Sequence, residues 1–135
     1  LNEFRIVTDA IDIIDAPIVN VGINYQIVVD GISNQTLVIQ NINSTLSDYM
    51  KVENFQIDQP ILKTDIVNLI VNTPGVLSLV GLAIINKVGV EDGIRTYSGT
   101  SVNIAASTVN EIVFPPKGGI FEVKYPDFDI VGTTL

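Results

Sequence analysis

The residues best placed by type and spacing to do chemistry are two groups of carboxylates. Asp9, Asp12 and Asp15 recur every third residue, and three carboxylates can hold a hard cation such as calcium. A calcium loop spaces its oxygen ligands more closely and turns on a glycine, and neither feature is present here. The three are read as a solvated acidic edge, with no metal and no cofactor expected. Asp127 and Asp129 form a second pair on either side of Phe128. Paired carboxylates can hydrolyse a glycoside, but no cluster of aromatic residues accompanies them to hold a sugar. Gly118-Gly119 lies in neither phosphate-cradling pattern, G-x-G-x-x-G or G-x-x-x-x-G-K-[ST], and no helix pattern follows it, so it reads as a turn. Ser78 and Ser98 lack a base to activate them, because the chain has no His. Asn34-Gln35-Thr36 and Asn43-Ser44-Thr45 satisfy the glycosylation pattern, which arises readily by chance in an Asn-rich chain. No catalytic residue is assigned, and the chain is read as not an enzyme.

The composition narrows the classes further. The 135 residues suit one core. The absence of Cys rules out disulfides and thiolate metal sites. Seven Lys and Arg against fifteen Asp and Glu give a net charge of −8, which repels a phosphate backbone, so no nucleic-acid partner is expected. With 47% of residues hydrophobic and only 16% charged, the surface is suited to burial against neighbouring subunits. The apolar stretch 66–85 is interrupted at Asn68 and again at 72–75, leaving a run too short to span a bilayer, so no membrane partner is expected either. The chain starts at Leu1 without a basic leader, which suggests a piece of a longer polypeptide.

Elements must position whatever site there is. Val19, Val21, Ile23, Tyr25, Ile27 and Val29 alternate with mainly polar residues, which predicts a strand over 17–30 with one buried face. Ser33 or Asn34 can cap a helix over about 35–50, carried by apolar residues spaced three and four apart. A short edge strand is expected at 54–57. Asp58 then serves as the N-cap of a second helix, with Pro60 in its first turn, and that helix ends at 72–75. Val76 to Asn86 reads as a strand buried on both faces. The pattern dissolves over 87–108, as in a long excursion or an added hairpin. The stretches 109–114 and 120–125 read as a C-terminal hairpin reversed at 115–119. Residues 126–135 read as an arm without periodicity. The domain organisation is therefore an N-terminal arm or a strand from a preceding domain over 1–16, one domain over 17–125 and a C-terminal arm. The expected fold class is α+β: a ferredoxin-like or split α+β sandwich with a mainly antiparallel sheet and two helices on one face.

The long strand 16–30, the segment Gln56-Ile57-Asp58-Gln59-Pro60-Ile61, the helix end Thr73-Pro74-Gly75-Val76 and the late run Tyr125-Pro126-Asp127-Phe128-Asp129-Ile130 together resemble the carboxy-terminal region of baseplate J-like proteins, the baseplate wedge family of contractile-tailed phages. The resemblance covers residues 16–130. It implies a non-catalytic structural subunit located in the virion's tail baseplate and assembled in the host cytoplasm. Its partners would be other wedge proteins and copies of itself, in a homo-oligomer within a hetero-oligomeric assembly, and its task would be to relay the rearrangement that triggers sheath contraction. The candidate interface residues are Ile94, Tyr97, Val102, Ile104, Phe128, Ile130, Val131 and Leu135, apolar side chains in the two segments that lack periodicity. Two rival readings are a carbohydrate-binding or adhesin-like module, for which four Tyr, five Phe and no Trp are a thin aromatic supply, and a small carboxylate-based hydrolase built on Asp127 or Asp129.

Overall fold

A computed structural model describes residues 17–51, 55–91 and 93–135. Asp9, Asp12 and Asp15 lie outside these residues, as does the whole 1–16 segment. Among the described residues the fold is mixed α+β, with a mostly antiparallel sheet and three helices. Strand β1 (Ile18–Val29) is its centre. The odd residues Val19, Val21, Ile23, Tyr25 and Ile27 are all buried, as the alternation predicts. They face Val38, Ile42 and Leu46 of helix α1 (Gln35–Tyr49) and Ile66 and Ile70 of helix α2 (Lys63–Val71), so both helices cover one face of the sheet. Asn34 caps α1 as expected, its side chain accepting a hydrogen bond from the Leu37 N–H at 3.1 Å.

Both edges of β1 are paired. Strand β3 (Val76–Lys87) runs antiparallel along one edge, from Asn20 opposite Lys87 to Val29 opposite Val76. Two short strands share the other edge, both parallel to β1: β8 (Ile120–Glu122), with Ile18 opposite Ile120, and β9 (Ile130–Thr134), with Ile23 opposite Ile130. Between them a single helical turn, α3 (Pro126–Asp129), takes up the extra chain. Pro126 lacks the N–H a strand would use, and the buried Asp129 carboxylate closes the turn by accepting from the Tyr125 N–H at 3.1 Å.

The segment 126–135 is therefore not an arm. Its strand lies beside the central one, and Ile130 is 3% exposed. Three other expectations also need correcting. No C-terminal hairpin joins 109–114 to 120–125. Instead β6 (Thr108–Val109) and β7 (Ile112–Val113) make a tight hairpin through Asn110 and Glu111, both at positive φ, and β7 pairs with β2 (Ile61–Leu62). Asp58 does not cap α2. It sits at φ 64° and clamps the 117–119 turn, accepting from the Gly118 N–H at 2.6 Å, while Leu62 occupies the cap position. Residues 55–57 form no strand. The excursion does contain a hairpin, β4 (Val90–Glu91) with β5 (Arg95–Thr96).

One contact joins three of these elements. Gly132 of β9 pairs with Tyr25 of β1, and the Tyr25 ring fills the space where a side chain at 132 would be. The ring thereby reaches α1, where its hydroxyl donates to the Asn43 side-chain oxygen at 2.6 Å. Burial pushes the Tyr25 hydroxyl's pKa well up. An unfolded Tyr ionises near pH 10 while this one stays neutral, so its contribution is complete below that pH and lost above it. The melting temperature should therefore begin to fall near pH 10 and go on falling as the pH rises further, and Tyr25→Phe should flatten that fall at the cost of about 1 kcal/mol at neutral pH. Deleting residues 130–135 should unfold the domain, since it strips β1 of a parallel partner; circular dichroism of the truncated chain checks this.

Candidate assembly surface

The candidate interface residues divide by position. Tyr97 (8% exposed) and Ile130 are core. Tyr97 donates to the Asp129 carboxylate at 2.6 Å and packs edge-on against Tyr125. Val102 and Ile104 are half-buried and packed against the core. Phe128 is half-buried, with the Arg95 guanidinium 3.8 Å and the Lys87 ammonium 5.3 Å from its ring centre. Only Ile94, Val131 and Leu135 are exposed. Asp127 and Asp129 do not converge. Asp127 lines a polar cleft of about 330 Å³ with Gln40, Asn43, Ser44, Ser47, Asp48 and Pro126, whereas Asp129 is consumed by Tyr97 and the Tyr125 amide. Among the described residues no group of three or more acidic side chains is placed to hold a metal, and no helix is long and apolar enough to cross a membrane.

The even face of β1, expected to be polar and solvated, is split. Asn24 is exposed, but Asn20 is 1% exposed beneath the excursion. Its amide donates to the Glu122 carboxylate at 2.7 Å, its side-chain oxygen accepts from the Ser98 N–H at 2.7 Å, and its carbonyl accepts from Asn86 at 3.0 Å. Asn86 in turn accepts from the Val102 N–H at 2.9 Å. The excursion is thus held down by polar pins that a hydrophobicity pattern cannot reveal.

A different surface gathers four of the exposed aliphatic residues. β1 ends at Val29, and three chain segments meet there. The turn 30–34 leads into α1, with the Asp30 N–H donating to the Gly75 carbonyl at 2.9 Å. The end of β9 lies alongside, with the Leu135 N–H on the Ile27 carbonyl at 2.9 Å and Thr134 donating to Gln35 at 3.3 Å. The start of β3 completes the group, with Val76 opposite Val29. This pole exposes Ile32 (96%), Leu135 (76%), Leu77 (67%) and Leu37 (55%). Leu77 corrects the reading of β3 as buried on both faces.

Charge is distributed to match. Residues 31–47, 66–86 and 130–135 contain no Asp, Glu, Lys or Arg, so among the described residues Asp30 is the one charged side chain at the pole. Its carboxylate is tied into the turn, accepting from the Ser33 N–H at 2.7 Å and the Ile32 N–H at 3.2 Å. The Ser33 side chain, ahead of these two amides, holds its pKa below the usual carboxylate range. The opposite end, around Ile18–Asn20, carries Lys87, Arg95, Glu122 and Lys124. Only Leu135 of this patch was a candidate from sequence; the signal that could have found the rest is the length of the charge-free stretches.

No protein-family model and no curated protein matches this chain.

Because Ile32 and Leu77 contribute almost nothing to the core, Ile32→Ser and Leu77→Ser should each change stability by no more than about 0.5 kcal/mol. Both should lower binding of a hydrophobic dye to the folded protein, which a fluorescence titration beside a melting curve would measure.

Proposed function

We propose that this chain is a non-catalytic structural subunit of a contractile phage tail baseplate wedge, joining wedge proteins and copies of itself around the tail hub and relaying the baseplate rearrangement. The observation that supports the assembly reading best is the apolar pole, where Asp30 is the one charged side chain among the described residues. A lone domain gains nothing from an Ile at the tip of a turn with 96% of its surface in water, while covering each such side chain contributes roughly 1.5–3 kcal/mol. Four of them, clustered and rimmed by uncharged polar residues, suit a lasting protein contact. The phage setting comes from the sequence resemblance in the 16–30, 56–61, 73–76 and 125–130 segments. Virion location follows from the same resemblance.

The split α+β sandwich is the architecture we carry into this proposal, with two helices on one sheet face in its favour. The ferredoxin-like order is its weaker part, because that split βαβ arrangement sets neighbouring strands antiparallel, whereas β8 and β9 both pair parallel with β1.

The test is to purify contractile tails carrying the parent protein and locate this segment by labelling and mass spectrometry. Labelled chain at the baseplate, lost from particles when Ile32 and Leu77 are both replaced by Asp, is the expected outcome. Intact, functional tails that lack the protein would overturn the reading.

A further inference from the structure

We propose that the cavity between the end of α1 and the start of α2 is a binding site for an alkylammonium group of the kind a lysine side chain carries, with Asp65 as counter-ion and the rings of Tyr49 and Phe55 as walls. The site lies at the far end of α1 from the apolar pole and does not rest on the assembly role. The cavity measures about 210 Å³ and is lined by Tyr49, Phe55, Gln59, Pro60, Leu62 and Asp65. That is less than the roughly 300–1,000 Å³ of a site for a drug-sized molecule, and it suits a group the size of one side chain. Tyr49 and Phe55 pack edge to face, with ring centres 5.7 Å apart and planes at 81°. Pro60 and Leu62 add apolar surface, Gln59 adds an exposed amide, and Asp65 is the one charged group of the lining.

The surroundings of Asp65 point to a cation as the ligand. Among the described residues no Lys or Arg pairs with this half-buried carboxylate. Lys63, two positions earlier, pairs with Glu111 at 3.6 Å, and Lys51, two positions after Tyr49, pairs with Asp48 at 3.2 Å. Asp65 accepts from the Tyr49 hydroxyl at 3.3 Å, which is long for an O–H donor on a carboxylate and leaves most of its acceptor capacity unused. Burial first, and then the Asp65 charge, hold the Tyr49 hydroxyl above its ordinary pKa. The place of Asp65 in the first turn of α2 suits a negative charge, but a helix end does not call for aromatic walls around it. A carboxylate in such walls attracts a cation more strongly than one in open water, and the ring faces attract it as well. An ammonium on a methylene stem meets each part of the lining, donating to Asp65 while the stem packs against Pro60 and Leu62. A guanidinium would bring five donors to one carboxylate and one amide.

The experiment is an NMR titration of the 135-residue chain that follows the Tyr49 and Phe55 ring signals. The probes are n-butylammonium, Nα-acetyl-lysine N-methylamide and the uncharged norleucine analogue of the latter. Both ammonium probes should shift the two rings saturably, and the norleucine probe should bind about tenfold more weakly than the lysine one. Asp65→Asn should weaken both ammonium probes about tenfold, while Asp127→Asn, in the cleft beside α3, should leave them unchanged. Circular dichroism checks that each variant is folded, and if Asp65→Asn is not, the comparison of lysine with norleucine on the wild-type chain decides alone. Tighter binding of the lysine probe marks a peptide as the source of the group and equal binding marks a free amine, and either result supports the site. No saturable shift with either ammonium probe, norleucine binding as tightly as lysine, or undiminished binding by folded Asp65→Asn each overturns the proposal.

Discussion

Every layer of this molecule depends on the twelve-residue strand β1 being satisfied on both edges and on one face. Its odd residues are the floor on which α1 and α2 sit, and a slip of one position would turn Val19, Val21, Ile23, Tyr25 and Ile27 to the other side. The edges admit no slip either. Tyr25 must face Gly132, the residue without a side chain, for its ring to cross β9 and reach Asn43 on α1. Asn20 must lie between Lys87 and Glu122 for its amide and carbonyl to tie β8, Asn86 and Ser98 together. Register is thus fixed at one end of β1 by a buried amide and at the other by a ring over a glycine.

The strength of each signal explains what the sequence made legible. β1 and α1 repeat their periods over enough residues that local pattern and tertiary demand coincide. β9 does not. Ile130-Val131-Gly132-Thr133-Thr134 is five residues long, and its partner in the sheet lies more than a hundred positions earlier, so nothing nearby marks it as a strand. Its parallel pairing is also of the kind that short local cues do not announce. The second helix ends at the 72–75 stop that its sequence predicts, but it starts at Lys63, not after Asp58. Ile61 and Leu62 are taken first by pairing with β7, and Asp58 is used by the 117–119 turn. In both cases a long-range contact overrode a local preference.

The candidate surface was hidden for a related reason. Hydrophobicity says which residues would gain from burial but not which are buried, so Val76 to Asn86 looked like an interior strand. In the fold, β3 covers one edge of β1 and exposes Leu77 and Val80. The reverse holds at Tyr97 and Ile130: their segments lack periodicity, which points to exposed anchors, yet Asp129 and β1 draw them into the core. The charge pattern is the better guide to this surface, since the pole is built from the long charge-free stretches 31–47, 66–86 and 130–135.

The way β3 is built also bears on how a partner can be met at the pole. Its register against β1 shifts twice, between Gln26 and Ile27 and again between Val28 and Val29, which leaves Val80 and Leu77 as the extra residues of two bulges. A bulge breaks the ladder and re-aims the side chain it carries, and bulges on an outer strand discourage another strand from adding to it. Farther along the same strand, Asn86 is occupied by the backbone of Thr100 and Val102. The outer edge of β3 is therefore poorly suited to extending the sheet into a neighbour. The same two bulges leave Leu77 and Val80 exposed, so a partner proposed at this end would be met through side chains across a surface, not through backbone pairing.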